Sequence, residues 1–129
     1  RSRLLNKSFV SEIGAIPPAS LRGNSRSHWA IKGRHAREWR ESGWAHGLAD
    51  SPVDWNPGRI SIQIAFFHWR PVDLDNLAIG MKPWIDGLVD AYVIEDDSPE
   101  HLAIEAPTFS KCRNGHSRTV VTVTERPYS

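Results

Sequence analysis

The residues best suited to chemistry in this sequence are the carboxylates between positions 71 and 100. This segment contains eight of them and a single lysine or arginine, Lys82. Carboxylates that fold together repel one another unless solvent or a cation lies among them. Oxygen ligands suit hard cations, so the segment predicts a site for Mg²⁺, with Mn²⁺ as the alternative ion. The carboxylates are Asp73, Asp75, Asp86, Asp90, Glu95, Asp96, Asp97 and Glu100.

Two acidic pairs are the predicted metal ligands. Asp73 and Asp75 follow a predicted strand, and in extended geometry alternate side chains share a face, so both can reach one ion. Asp96 and Asp97 follow the next predicted helix, in a loop that can fold back beside the end of that strand. An ion held there can polarise a phosphoryl oxygen and lower the pKa of a bound water, which phosphodiester hydrolysis requires.

Lys82 has two interpretations. As the only cation of the segment, it can offset negative charge on the transition state of phosphoryl transfer. It also precedes Asp86 by four residues on a predicted helix, the spacing of an ordinary surface ion pair.

A basic segment precedes the acidic one, although the net charge of the chain is only +1. Its side chains predict either a surface that attracts the phosphates of nucleic acid or a solvated helix face. The six histidines of the chain show no metal-ligand spacing, so no zinc site is predicted. The candidate DNA-binding residues are Arg22, Arg26, Lys32, Arg34, Arg37 and Arg40.

The elements that position these residues follow from hydrophobic periodicity. Strands are predicted over 8–16, 59–70, 102–106 and 119–124, and helices over 28–48 and 80–90. Ser27 is the predicted cap of the first helix, residues 76–79 are a predicted loop because Pro83 should lie in a first helical turn, and residues 113–116 are a predicted hairpin turn. Trp29, Trp39, Trp69 and Trp84 are predicted core residues.

One α/β (α+β) domain over residues 1–129 follows from this order of elements. The order β-α-β-α-β-β predicts a mixed sheet of about four strands with two helices on one face. The sequence has no apolar run of membrane-spanning length and no secretory leader, and the single Cys112 fits a reducing compartment. The expected location is therefore cytoplasmic.

The acidic motifs resemble those of the RusA-type Holliday junction resolvases, which are common in prophages. The matching residues are Asp73-Leu-Asp75-Asn76, then Lys82, Asp86-Gly-Leu88, and Val93-Ile94-Glu95-Asp96-Asp97. Ile16-Pro17-Pro18 and the basic segment from Asn24 to Arg40 match more loosely. Lys82 lies farther along the chain from Asp75 than it does in the family pattern.

The resemblance implies a small α/β homodimer with one active site per subunit, in a bacterial or phage-infected cell. It makes Asp73, Asp75 and Asp97 the metal-binding catalytic carboxylates and Lys82 the catalytic lysine, with Asp96 beside the third carboxylate. The implied substrate is a four-way DNA junction, nicked in two strands of like polarity in recombination and repair. No organic cofactor is expected. A non-catalytic module that binds DNA junctions and a metal-dependent phosphatase remain the alternatives.

Overall fold

A five-stranded mixed sheet organises the fold in the computed structural model, which describes residues 7–23, 26 and 28–126. Its elements in chain order are β1 (Ser8–Ile13), a 3-10 turn (Ala19–Leu21), α1 (Trp29–Asp50), β2 (Ile60–His68), α2 (Leu74–Ile79), α3 (Lys82–Asp90), β3 (Leu102–Ile104), β4 (Thr108–Lys111) and β5 (Arg118–Glu125). The predicted single-domain α+β class with a mixed sheet is confirmed, but the sheet has one strand more than predicted.

The central strand of the sheet is β2. It pairs antiparallel with β5, which in turn pairs antiparallel with β1. On its other side β2 pairs in parallel first with β3 and then with β4. Pro107, which lacks an N–H for a ladder bond, separates these two short strands at the sheet edge.

The core lies between this sheet and the helices. Alternate β2 residues Ile60, Ile62, Ile64 and Phe66 are at most 2% exposed, as a strand with one buried face requires. The helical residues in the same core cluster are Trp39 from α1, Leu77 from α2, and Trp84, Ile85 and Leu88 from α3. No helix in the described parts of the chain has the length and apolar character needed to cross a membrane.

Helices α1 and α3 cross at glycines. A Cβ on Gly43 of α1 would lie 2.0 Å from the carbonyl oxygen of Trp84, and one on Gly87 of α3 would lie 2.2 Å from that of Arg40. Any side chain at either position would therefore push the helices apart. This contact joins the helix of the basic segment to the helix that begins at Lys82.

Several local predictions are wrong. The predicted loop at 76–79 is helical, because Asp73 caps a short α2 that ends before Gly80. Pro83 does lie in the first turn of the next helix, as predicted, but that helix begins at Lys82. The first strand stops at Ile13, well before Pro17.

Two further expectations concern α1 and the tryptophans. The predicted cap, Ser27, lies outside the described residues, and the ring of His28 caps α1 by accepting from the Ala30 N–H at 3.1 Å. Trp39 and Trp84 are buried, as predicted, and Trp69 is half-buried. Trp29 is 79% exposed, so its assignment to the core is wrong.

Candidate functional site

Asp73 and Asp75 lie where the chain leaves β2 and enters α2. Asp73 is the N-cap: its Oδ1 accepts hydrogen bonds from the backbone N–H groups of Asp75 at 2.9 Å and Asn76 at 3.2 Å. Asp75 therefore lies in the first turn of a helix, and the predicted extended geometry of the pair is wrong. Its exposed carboxylate has no hydrogen bond or ion pair within the described ranges 7–23, 26 and 28–126.

Lys82, the first residue of α3, connects two carboxylates. Its Nζ donates to Asp86 Oδ1 at 2.5 Å and to Asp97 Oδ2 at 2.6 Å. The bond to Asp86 is the expected helical pair, whereas the bond to Asp97 spans 15 positions of sequence and was not predicted. These two carboxylates raise the pKa of Lys82, Asp86 being the larger cause, and Lys82 in turn lowers the pKa of Asp97.

Asp96 has different hydrogen-bond partners from its neighbour Asp97. Its Oδ1 accepts from the Ser98 N–H at 2.8 Å and lies 3.0 Å from His101 Nδ1. Hydrogen bonds from Ser98, and then from His101, lower the pKa of the Asp96 carboxyl group. The other ring nitrogen of His101, Nε2, lies 3.6 Å from Glu95 Oε2.

Glu95, Asp96 and His101 form a small group that could hold a metal ion. One ligand atom from each of the three lies within 4.8 Å of the other two. His101 was not a predicted ligand, because its spacing of five positions from Asp96 matches no common ligand spacing and their contact depends on the turn at Ser98.

The predicted catalytic carboxylates do not form such a group in the described chain. In the part of the chain that the structure describes, Asp73, Asp75 and Asp97 do not form a group with ligand atoms within 4.8 Å of one another. Asp97 bonds to Lys82, Asp73 caps α2, and Asp96 contacts His101. The structure thus joins Lys82 to Asp97 and leaves the carboxylate of Asp75 without a protein partner in this described region.

The predicted basic residues fall into two sets. Arg22 is half-buried, donates from Nε to the Pro17 carbonyl oxygen at 2.9 Å, and has a pKa lowered by burial. Arg40 is held by Asp90 through two bonds, Nε to Oδ2 at 2.6 Å and Nη2 to Oδ1 at 2.9 Å. The other four are exposed and have no hydrogen-bond or ion-pair partner among the described residues: Arg26, Lys32, Arg34 and Arg37.

The turn that leads into the basic segment packs against α2. A Cβ on Gly23 would lie 2.8 Å from both Asn76 Oδ1 and Ile79 Cδ1, so only glycine fits there without a shift of these side chains. The neighbouring Arg22 also lies near the end of β2, where its charge and that of Arg70 add to burial in lowering the pKa of His68. The start of the basic segment and the start of α2 are therefore adjacent.

No protein-family model matches the chain, and no curated protein matches it.

Proposed function

We propose that this protein is a RusA-type, metal-dependent endodeoxyribonuclease that acts on branched DNA as a homodimer. The observation that carries the proposal is the bond of 2.6 Å between Lys82 Nζ and Asp97 Oδ2. The resemblance makes these two residues a catalytic lysine and a catalytic carboxylate, and the fold brings them into contact although they are far apart in sequence. An ordinary helical ion pair would join Lys82 only to Asp86, so it would not account for the contact with Asp97.

The donor set fits a hard cation. Asp73, Asp75 and Asp97 offer only carboxylate oxygens, the ligands that Mg²⁺ and Mn²⁺ prefer. The cap uses only one oxygen of Asp73, the carboxylate of Asp75 has no partner in the described chain, and Lys82 contacts one oxygen of Asp97. We assign these three residues as the proposed ligands, and Mg²⁺, when bound, would polarise the scissile phosphodiester.

The remaining roles belong to side chains of the protein itself. Lys82 donates a hydrogen bond to Asp97 and lowers the pKa of that carboxyl. An ammonium group at this position can also stabilise negative charge on a phosphoryl group bound beside Asp97. The unpaired cations of α1 would position the DNA backbone through phosphate contacts.

Cleavage of a synthetic four-way junction, compared with a linear duplex of the same sequence, tests the proposal. We expect paired nicks in the junction with Mg²⁺ and none without a divalent ion. Asp75→Asn should retain junction binding but lower the cleavage rate more than about 100-fold, since even partners outside the first coordination shell commonly contribute 10–100-fold.

His101→Gln is the matched control, because it alters the other group that could hold a metal. We expect that variant to cleave at close to the wild-type rate. If His101→Gln abolished cleavage and Asp75→Asn did not, the metal would belong to Glu95, Asp96 and His101, and our assignment of ligands would be wrong.

A non-catalytic module that binds DNA junctions is the second candidate. The observation that favours it is that Asp73, Asp75 and Asp97 do not converge to ligand distances in the described chain. Tight junction binding without nicking in Mg²⁺, Mn²⁺ or any other divalent ion would support the module and contradict the nuclease.

A further inference from the structure

Trp29 is the first residue of α1, and its indole is largely in solvent. Its side chain is 79% exposed, whereas tryptophan is highly buried on average. Among the described residues its one ring contact is with His28, at 5.4 Å between centroids. The face of a large aromatic ring is therefore available to a partner outside the described chain.

The surface next to this indole is open and positively charged. Lys32, Gly33 and Arg37 follow Trp29 by three, four and eight positions, so they lie on the same side of the helix. Gly33 offers no side chain, and the Arg37 guanidinium lies 3.8 Å from the place of its absent Cβ. The guanidinium of Arg37 therefore reaches one helical turn back toward Trp29, across a gap in the side-chain surface. We call these four residues the Trp29 step.

The charge of the Trp29 step favours an anionic partner. Residues 28–37 contain Lys32, Arg34 and Arg37 and no carboxylate. None of the three cations has a hydrogen-bond or ion-pair partner in the described chain. The first turn of α1, where the helix dipole is positive, likewise has no acidic residue.

We propose that the Trp29 step binds an unpaired nucleotide of single-stranded DNA. The base stacks on the indole of Trp29, and Lys32 and Arg37 contact the flanking phosphates, a combination that suits nucleic acid without regard to sequence. Paired bases inside a duplex do not offer a free face, so the step selects an unpaired nucleotide over a duplex. This inference rests on the proposed function and adds the feature of the DNA that α1 recognises.

A second copy of the chain is the other conceivable occupant, and the charges disfavour it. A partner copy would have to present carboxylates to the Trp29 step. Most carboxylates of the acidic segment already contact Lys82, Arg40, His101 or a backbone N–H group. Nucleic acid presents a phosphate at every nucleotide, whereas a partner copy would have to present one of its scattered unpaired carboxylates, such as Asp75.

Binding of a fluorescently labelled 15-nucleotide thymidine strand to the full chain, measured by anisotropy, tests this inference. We expect Trp29→Leu to weaken binding about ten-fold, the size of one lost stacking contact. Trp29→Phe should restore most of the loss, because phenylalanine keeps an aromatic face. Gly33→Leu should also weaken binding by filling the gap, whereas Gly33→Ala should weaken it less.

Tyr92→Asn is the matched control outside α1. Tyr92 is 88% exposed and has a positive φ of 62°, which asparagine tolerates, so this change removes an exposed aromatic ring without backbone strain. We expect this variant to bind the thymidine strand like the wild type. Equal loss in the Tyr92 and Trp29 variants would contradict a specific stacking site.

Three results would overturn the inference. Trp29→Leu and Gly33→Leu could bind the thymidine strand like the wild type, or the wild type could fail to bind it at all. Trp29→Leu could instead lower the molar mass in sedimentation, which would make the step a contact between subunits. Junction cleavage by wild-type protein would stand in each case, so failure of this inference is distinguishable from failure of the proposed function.

Discussion

The acidic and basic segments of this protein differ in where their charges find partners. In the acidic segment, residues 73–97, Lys82 bonds to two aspartates, Arg40 reaches in to Asp90, and His101 contacts Asp96. In the basic segment, Arg22 and Arg40 have partners in the fold, whereas Arg26, Lys32, Arg34 and Arg37 have no such contacts with the described chain. Both segments look unbalanced in the sequence, but in the acidic one most of the charged side chains have a hydrogen-bond or ion-pair partner in the fold.

This difference indicates which charges are available to a partner. An ion pair between exposed side chains contributes little to stability, but a paired group has to leave its partner before it can bind a ligand. Arg40 is committed to Asp90 by two bonds, and Lys82 to Asp86 and Asp97. Asp75 is the exception in the acidic segment, which is why we make it the first proposed metal ligand to test.

The crossing of α1 and α3 holds the two segments together, and breaking it should have the largest effect. Gly43→Ala would place a Cβ 2.0 Å from the Trp84 carbonyl oxygen, a backbone atom that cannot move away alone. We expect a loss of at least about 2 kcal/mol in the free energy of unfolding, measured by urea denaturation, because overpacking forces backbone shifts.

Gly33→Ala on the same helix is the control for that prediction. A Cβ at Gly33 meets only the Arg37 guanidinium, at 3.8 Å, which is ordinary contact. The substitution should therefore stabilise the protein by about 0.5–1 kcal/mol, the usual difference between alanine and glycine in a helix. Equal effects at the two glycines would show that the helices do not cross closely at Gly43.

Neutralising basic residues should have a smaller effect, on DNA binding only. We expect Arg34→Gln with Arg37→Gln to reduce the slope of log affinity against log salt concentration by up to about two, because each phosphate contact contributes about 0.9. Arg40→Gln is the matched single change: its guanidinium already pairs with Asp90, so the slope should change less. A larger change for Arg40→Gln than for Arg37→Gln measured alone would contradict the division into paired and unpaired cations.

The strand β2 was predictable because its alternation of apolar and polar residues is visible within a short stretch of sequence. Ile60, Ile62, Ile64 and Phe66 alternate with smaller or more polar residues, and this pattern specifies a strand with one buried face wherever it lies. The strand β4 was missed because Pro107 breaks the alternating pattern, whereas the segments on both sides of it pair with β2 in succession. The helix α2 was missed because six residues are too few to show a helical period.

Trp29 and Asp97 show why the candidate site was less predictable. Periodicity placed Trp29 on the same stripe as Trp39, but it does not reveal how far a covering helix extends. At 1.5 Å per residue α1 is about 33 Å long and α3 only about 14 Å, so the two helices cannot cover each other throughout. The contact of Lys82 with Asp97 depends on the path of a loop, which no local pattern specifies.

The smallest expected effect, and the most direct test of ion pairing inside the acidic segment, is on the pKa of Asp97. Lys82 lowers that pKa below its ordinary value of 3.8, through a hydrogen bond first and charge second. Lys82→Gln should therefore raise the pKa of Asp97 toward that value, as followed by NMR of the side-chain carboxyl carbon. The pKa of Asp90, which Arg40 lowers, should not change in that variant, and Arg40→Gln should give the reverse result.

The same pair determines the sign of any pH dependence. Because the folded pKa of Asp97 is lowered, its contribution to stability is present above the unfolded value, near 4, and is lost as the pH falls through the folded value. Because the pKa of Lys82 is raised, its contribution is present below about 10.4 and is lost as the pH rises through the folded value. Both side chains are exposed, so the change in stability should be small even where the change in pKa is clear. An unchanged pKa of Asp97 in Lys82→Gln would mean that the lysine does not hold this carboxylate, and Asp97 would then be as open to an outside partner as Asp75.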